Sequence, residues 1–392
     1  MWPGLPDGPA RSSKAASNEA LGGVDWPSPL VLLCALLADK PAIAGATAAS
    51  LSHAEWQIFC DLVIARHRVA PSIAEALSVS GVVPPGDILE AIQAEARANG
   101  FAALAQKNES LHLAGVLETA GIGAIWLKGW PLAEQLYGAT GMRQSNDIDL
   151  LVDPDDRVAA ARCLRDAGYV PDQEHSLRAR LIGHPAVRAE CKDVQFLHAE
   201  TGMAVELHWR TSHFRAWPEL RDLSEQPVSL PGVTGGRPIL VPGALGQLVF
   251  LAEHGQQHLY SRLKWLLDIA RLARLRGPAR LGEDMRRAEA AGAGRSVRLA
   301  VHLACRVFAA AKPIGFRELP RNEARWVEEV LADIADPQMA PGQPWARVGF
   351  YCWHLRMAAT PMQFVGVLRS AVWRRLRLRL AGSMHPAPGT DA

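Results

Sequence analysis

The sequence predicts an α+β protein, with a small mixed-sheet core set between N-terminal and C-terminal helical regions. Apolar residues recur at helical spacing up to about residue 119, and again beyond Pro242. Between these limits the period shortens, and brief apolar or alternating segments are bounded by Gly, Asp and Asn. Those segments run strand, helix, strand, helix, then two further strands. The expected divisions are a flexible tail over 1–27, a helical region over 28–119, the core over 120–241, a second helical region over 242–381 and a tail over 382–392.

In chain order, Ile88, Leu89, Ile92 and Ala96, then Leu113, Val116 and Leu117, follow a helical period. The stretch Gly81 to Gly86, with Pro84 and Pro85, separates shorter helices. Gly121 to Leu127 opens with two glycines in an apolar run and reads as a buried strand. Lys128-Gly129 turns the chain, and Pro131 starts a helix to Tyr137. Asp147 to Val152 is the second strand, and Asp153 to Asp156 cap a helix to about Ala167. Val194–His198 and Met203–Trp209 read as an antiparallel pair across Glu200-Thr201-Gly202. Helices are expected over 244–259 and 262–276, with more to about Leu380.

Composition excludes several classes. The 392 residues carry 42 Lys+Arg against 40 Asp+Glu, a net charge of +2, with 49% hydrophobic and 21% charged residues. That balance rules out wholesale disorder and argues against a dedicated nucleic-acid binder. The longest apolar run, Pro29 to Ala38, is about half the ~20 residues of a spanning helix, so no transmembrane segment is expected. Six scattered cysteines (34, 60, 163, 191, 305 and 352) form no C-x-x-C and suit a reducing, cytoplasmic setting. Residues 1–24 lack a basic start leading into an apolar stretch, which reads as a tail and not a signal peptide. Only seven of the cations are lysines, so a well-placed lysine carries more information than an arginine.

Asp147-Ile148-Asp149 is the most informative tripeptide. On a strand, residues i and i+2 share a face, so both carboxylates converge while Ile148 enters the core. Paired carboxylates need a cation, and hard oxygen ligands select Mg²⁺ or Mn²⁺. Glu206 lies on a later strand between apolar residues and shares a face with His208. Three acids on neighbouring strands are what two-metal phosphoryl or nucleotidyl transfer requires. Lys128-Gly129, between a strand and a helix start, offers backbone N–H groups and a point charge to phosphate oxygens. It is not a Walker loop. Each feature has an ordinary structural reading alone; their order along the chain favours the catalytic one.

Weaker signals follow. His254 and His258 sit four apart on a helix, but Glu253 precedes the first histidine, unlike H-E-x-x-H, so His254 is expected to line the substrate pocket. Asp268, in an apolar helix, is expected to pair with Arg262, Lys264 or Arg271, with the alternative that it braces the helical lobe against the site. Arg143 is a candidate phosphate contact. Residues 364–380 mix five arginines with apolar residues at helical spacing, which suits weak binding to an anionic surface or packing with the arginines turned outward.

Leu127 to Tyr137, Arg143, Asp147 to Val152 and Ala167-Gly168-Tyr169 together resemble the bacterial uncharacterised nucleotidyltransferase-like family of the polymerase-beta superfamily. Val205 to Arg210 is similar to its later strand, and His254 with Arg262 to Arg271 to its helical segment. The resemblance covers roughly residues 95 to 310. It implies a minimal nucleotidyltransferase sheet, with Mg²⁺ or Mn²⁺ at Asp147, Asp149 and Glu206 and phosphates near Lys128 and Gly129. Two departures stand out: Lys-Gly replaces the usual Gly-Gly or Gly-Ser, and Gly129 lies further from Asp147 than is usual.

The expected activity is transfer of a nucleoside monophosphate from an NTP, ATP by default, to an acceptor. Asp147 and Asp149 would bridge the metals, and Glu206 would bind the one that activates the acceptor. Some family members resemble accessory proteins of peptide or secondary-metabolite modification, which leaves the acceptor open among small molecule, peptide and protein. The alternatives are a catalytically inactive nucleotide-binding accessory protein and a metal-dependent phosphohydrolase. Like-charge repulsion among the three acids further predicts that Glu206→Gln holds or raises stability without metal.

Overall fold

The computed structural model describes residues 26–212, 214, 219–223, 225–230, 239–310, 312–336, 346–358 and 360–384, so the two expected tails lie almost wholly outside the described residues. The apolar run near the start forms α1 (Ser28–Leu37), which is buried on nearly every side. Helix α2 (Pro41–Ala48) follows, and then α3 (His53–Asp61), where Ser52 and Glu55 cap each other's backbone N–H. One π-helical turn, Leu62–Arg66, leads into His67 and Arg68, the latter with φ 56°. Helix α4 (Ala70–Ser80) stops at Gly81 in a left-handed conformation, and α5 (Gly86–Thr119) then runs about 51 Å. No helix among the described residues is long and apolar enough to cross a membrane.

The core sheet has the order β1-β2-β5-β4-β3, from β1 (Ala124–Trp126), β2 (Asp147–Val152), β3 (Tyr169–Pro171), β4 (Asp193–His198) and β5 (Ala204–His208). Only β2 and β5 run parallel, so the sheet is mixed as expected, and β4–β5 is the antiparallel hairpin read from the sequence. Between strands lie α6 (Trp130–Tyr137), α7 (Arg157–Asp166), α8 (Ser176–Arg180) and α9 (Pro185–Glu190). A two-stranded ribbon, β6 (Val228–Ser229) with β7 (Leu240–Val241), was not foreseen.

Alternation then separates the two faces of the sheet. Ile148, Leu150, Val152, Val205, Leu207, Val194 and Phe196 are all buried in one apolar cluster with Ala160, Ala161 and Leu164 of α7 and the C-terminal end of α5. Asp147, Asp149, Glu206, His208 and Asp193 take the opposite face.

Helices α10 (Ala244–Gln257), α11 (Leu263–Ala290), α12 (Gly294–Phe308) and α13 (Arg321–Ala335) join α1 to α4 in a single second core, and α10 with the start of α11 faces the polar side of the sheet. The two helical regions, far apart in sequence, therefore share one apolar interior. The expected helix end at Arg276 is a kink in α11, where Gly277 has φ 70° and Pro278 follows. After α14 (Ala346–Met357), α15 (Pro361–Met384) buries Val367, while Arg369 and Arg377 both pair with Glu190 of α9. Val365, Leu368 and Val372 remain exposed on that helix. The side chains of Arg374, Arg375, Leu376 and Arg379 lie outside the described residues.

Candidate active site

Strand β1 delivers the Lys-Gly turn. The Leu127 N–H still bonds the Asp149 carbonyl at 3.1 Å, so the next side chain, Lys128, arrives at the Asp pair. Gly129 has φ 73° and ψ −139°, a region that glycine alone occupies readily, and it caps α6. The seventeen residues from Trp130 to Asn146 do not separate this turn from the acids. A Cβ on Gly129 would lie 3.6 Å from the Asp147 carbonyl oxygen. Helix α5 straps the intervening loop down: the Asn99 amide donates to Gly141 O at 2.6 Å and Gln106 to Ser145 O at 3.2 Å. The Trp130 indole donates to Ser110 at 2.9 Å. The unusual spacing of turn and acids in sequence thus closes in space.

Parallel pairing of β2 and β5 sets Asp149 directly across from Glu206, and the β4–β5 hairpin sets Asp193 across from His208. Lys128 Nζ lies 3.0 Å from Asp149 Oδ1 and 3.7 Å from Asp147 Oδ2. His208 Nε2 lies 3.2 Å from Asp149 Oδ1 and 3.1 Å from Glu206 Oε2. Donor atoms of Asp149, Glu206 and His208 all fall within 4.8 Å of one another, and Asp147 joins them through Lys128. The Asp149 side chain is 1% exposed, and its Oδ2 has no hydrogen-bond partner among the described residues. A buried carboxylate oxygen left unpaired beside two further donors fits a divalent cation.

Charge sets the protonation of the cluster. Burial disfavours the Lys128 ammonium, but Asp147, Asp149 and Glu206 outweigh it and hold the lysine charged, above its ordinary range. Burial likewise opposes the Glu206 carboxylate, yet the His208 bond and the charges of Lys128, His208 and Lys192 keep it ionised well below the usual carboxylate range. Asp149 moves the other way, because burial and the neighbouring Asp147 and Glu206 outweigh Lys128 and His208. The acids therefore do not simply repel each other. Two cationic side chains stand among them, which reverses the expected sign for Glu206→Gln: removing its charge takes one of the two carboxylates that face His208 and weakens the field that holds Lys128 charged.

The far wall of the cleft, about 450 Å³ in volume, comes from the helical regions. It carries Arg68, Arg262 and Lys264, with Phe250, His254, His258 and Trp265 beside them. His258 stacks on Trp265, with ring centroids 4.7 Å apart and planes at 20°, and His254 stands edge-on to His258 at 4.7 Å. Burial, with Lys128 and His258 nearby, keeps His254 neutral, well below the usual imidazole range. The Lys264 ammonium donates to Gln144 O at 3.3 Å and has no carboxylate within ion-pair distance among the described residues. Burial and the charges of Arg143 and Lys128 push it well below the ordinary lysine range. Arg262 Nε is buried without a hydrogen-bond partner among the described residues.

Arg143 borders the cleft, but its guanidinium fork is committed to Asp268, at 3.0 Å from Nε and 2.9 Å from NH2. Tyr137 donates to the same carboxylate at 2.7 Å. Asp268 was expected to pair with a cation of its own segment; it instead ties the core to α11. Sequence reasoning placed His208 on the face of Glu206 without giving it a role, and it missed Asp193, Lys192, Arg68 and Lys264. A signal existed: three of the chain's seven lysines, Lys128, Lys192 and Lys264, line this one cleft.

A mixed sheet that gathers carboxylates against a lysine turn, facing a cationic wall, is an arrangement with the charge pattern that phosphate groups and a divalent ion require. The chain belongs to the family described as uncharacterised nucleotidyltransferase, whose family model matches residues 52–309, and at that level it is a transferase. The match begins at the Ser52 cap of α3 and ends just after α12, so it takes in the Arg68 turn, which the sequence resemblance had left out. No curated protein and no solved structure matches the chain.

Proposed function

We propose that this protein transfers a nucleoside monophosphate from a nucleoside triphosphate, ATP by default, to an acceptor hydroxyl, with Mg²⁺ or Mn²⁺ as cofactor. The observation that carries the reading is the division of one cleft into an acid floor on β2 and β5 and an opposite wall with Arg68, Arg262 and Lys264, none of which has a carboxylate within ion-pair distance among the described residues. Asp147, Asp149 and Glu206 would hold the divalent ion. Such an ion neutralises phosphate charge and lowers the pKa of an attacking hydroxyl.

Lys128 and the backbone at Gly129 bind phosphate oxygens, the lysine as a point charge and the turn through N–H groups at the start of α6. Arg262 and Lys264 receive the remaining phosphate charge from the opposite wall. The neutral ring of His254 accepts a hydrogen bond from the acceptor hydroxyl and orients it. The acceptor oxygen then bonds to the α-phosphorus as its proton passes to solvent and the bond to the β-phosphate bridging oxygen breaks, and pyrophosphate leaves. The acceptor is a small molecule, peptide or protein, met in the cytoplasm, where six scattered cysteines with no C-x-x-C suit the reducing setting.

The test uses NTPs labelled at the α or the γ position, incubated with the full chain, Mg²⁺ or Mn²⁺ and candidate acceptors. Label passing from the α position to an adduct, with pyrophosphate released, is the expected result. Free phosphate without an adduct indicates a hydrolase instead. Saturable NTP binding without either product indicates an inactive accessory protein.

A further inference from the structure

Inside this cleft His208 is placed as more than a neighbour of the acids. Its Nε2 faces two carboxylates at once, Asp149 Oδ1 at 3.2 Å and Glu206 Oε2 at 3.1 Å. A single N–H cannot serve both oxygens well, and both distances lie at the long end of the hydrogen-bond range. The geometry instead resembles three donors arranged around a common point, since one atom from each group lies within 4.8 Å of the others. A second, independent feature points the same way: Asp149 is 2% exposed, yet its Oδ2 has no hydrogen-bond partner among the described residues.

The other ring nitrogen faces a carboxylate too. His208 Nδ1 lies 3.9 Å from Asp193 Oδ2, an ion-pair separation longer than a hydrogen bond, and has no hydrogen-bond partner among the described residues; Asp193 is itself held by Lys192 at 2.5 Å and Arg178 at 3.6 Å. A carboxylate behind an imidazole, with the far nitrogen turned to a cluster of oxygens, is how proteins orient metal-binding histidines. The sheet builds this without adjustment. Strand β5 puts Glu206 and His208 on one face, β2 sets Asp149 across from Glu206, and β4 sets Asp193 across from His208.

We propose that His208 Nε2 is a metal ligand alongside Asp149 and Glu206, and that this nitrogen makes the site prefer Mn²⁺ over Mg²⁺. The proposal rests on the metal-dependent reading above and adds a ligand and an ion preference to it. Mg²⁺ favours an all-oxygen shell, whereas imidazole nitrogen suits later divalent ions. Lys128 shares Asp149 Oδ1 with His208, so an ion held by that oxygen would compete with the ammonium for it and leave Lys128 available to phosphate.

The test loads the full chain with Mn²⁺, with and without NTP, and records electron spin-echo modulation from ligand ¹⁴N. Mg²⁺ competition against bound Mn²⁺ is measured on the same samples. Wild type is expected to show imidazole ¹⁴N coupling that is absent in His208→Asn, and that variant should lose most of the preference for Mn²⁺. Asp193→Asn should keep the coupling but weaken Mn²⁺ binding by about 10-fold or more. If His208→Asn does not fold, the wild-type spectrum and the Asp193→Asn titration still decide the matter. Bound Mn²⁺ without ¹⁴N coupling, or coupling that persists in His208→Asn, overturns the histidine ligand while the carboxylate site stands. Absence of Mn²⁺ binding in every condition overturns the proposal and the metal-dependent reading together.

Discussion

Replacing Lys128 by Met removes the ammonium while keeping most of the side chain's bulk. Lys128 is 11% exposed and sits 3.0 Å from Asp149, itself 1% exposed, with Asp147 a further 0.7 Å out at 3.7 Å. At an effective dielectric of about 20, a pair at 3.0 Å is worth about 5.5 kcal/mol of Coulomb energy. Breaking a buried pair by deleting one partner typically costs about 3–5 kcal/mol, because the remaining charge is stranded. Proton uptake by the acid cluster limits that loss, so it should shrink as pH falls below neutral. Urea unfolding of wild type and variant, each in chelator and each in excess Mn²⁺, measures the effect. In chelator the variant should lose about 3 kcal/mol or more. In Mn²⁺ it should recover much of the deficit, since a divalent ion can take over the lost charge. Wild type should gain less, because its ion must displace an ammonium already in place. An equal deficit in both conditions would refute the reasoning, as would no deficit in chelator.

Glu206→Gln should lower turnover by roughly 100- to 10,000-fold with NTP affinity largely kept, and should lower the melting temperature in chelator, which calorimetry beside a steady-state assay would show. His208 links stability to pH. Burial and Lys192 disfavour its charged ring, but its bonds to Asp149 and Glu206 raise its pKa from 6.5 to about 9. Its contribution is complete below pH 6.5 and is lost as pH rises through about 9, a fall of order 3 kcal/mol at about 1.36 kcal/mol per pKa unit. Unfolding midpoints in chelator across that window should decline in wild type and stay level in His208→Asn. Asp268→Asn leaves the Arg143 guanidinium buried without its counter-ion, and should cost about 3–5 kcal/mol in unfolding free energy, whereas Tyr137→Phe should cost about 1 kcal/mol.

What the sequence discloses here, and what it withholds, follows from the range of the forces involved. Alternation in Asp147-Ile148-Asp149 and in Val205-Glu206-Leu207-His208 reports which face each side chain takes, because the pleat acts between neighbours. Gly277-Pro278 is equally local, and so the break in α11 is legible where the expected helix stops. The partner of Asp268 is not. Lys264 and Arg271 are the cations its own helix offers, yet Arg271 lies over the Tyr137 ring at 4.1 Å and Lys264 turns to Gln144 O. Asp268 is left to Arg143, 125 residues away, because a 4%-exposed guanidinium needs a buried counter-charge and only tertiary closure supplies one. His67 makes the same point from the other end of the chain. Its Nδ1 accepts from the Leu263 N–H at 3.2 Å, which docks the Arg68 turn beside Arg262 and completes the cationic wall. No period or spacing in the sequence links those two segments. His208 lies between the two cases: its face could be read from β5 alone, but its orientation depends on Asp193 arriving behind it from β4 and Asp149 in front from β2. A side chain whose chemistry is set by three strands cannot be assigned from one.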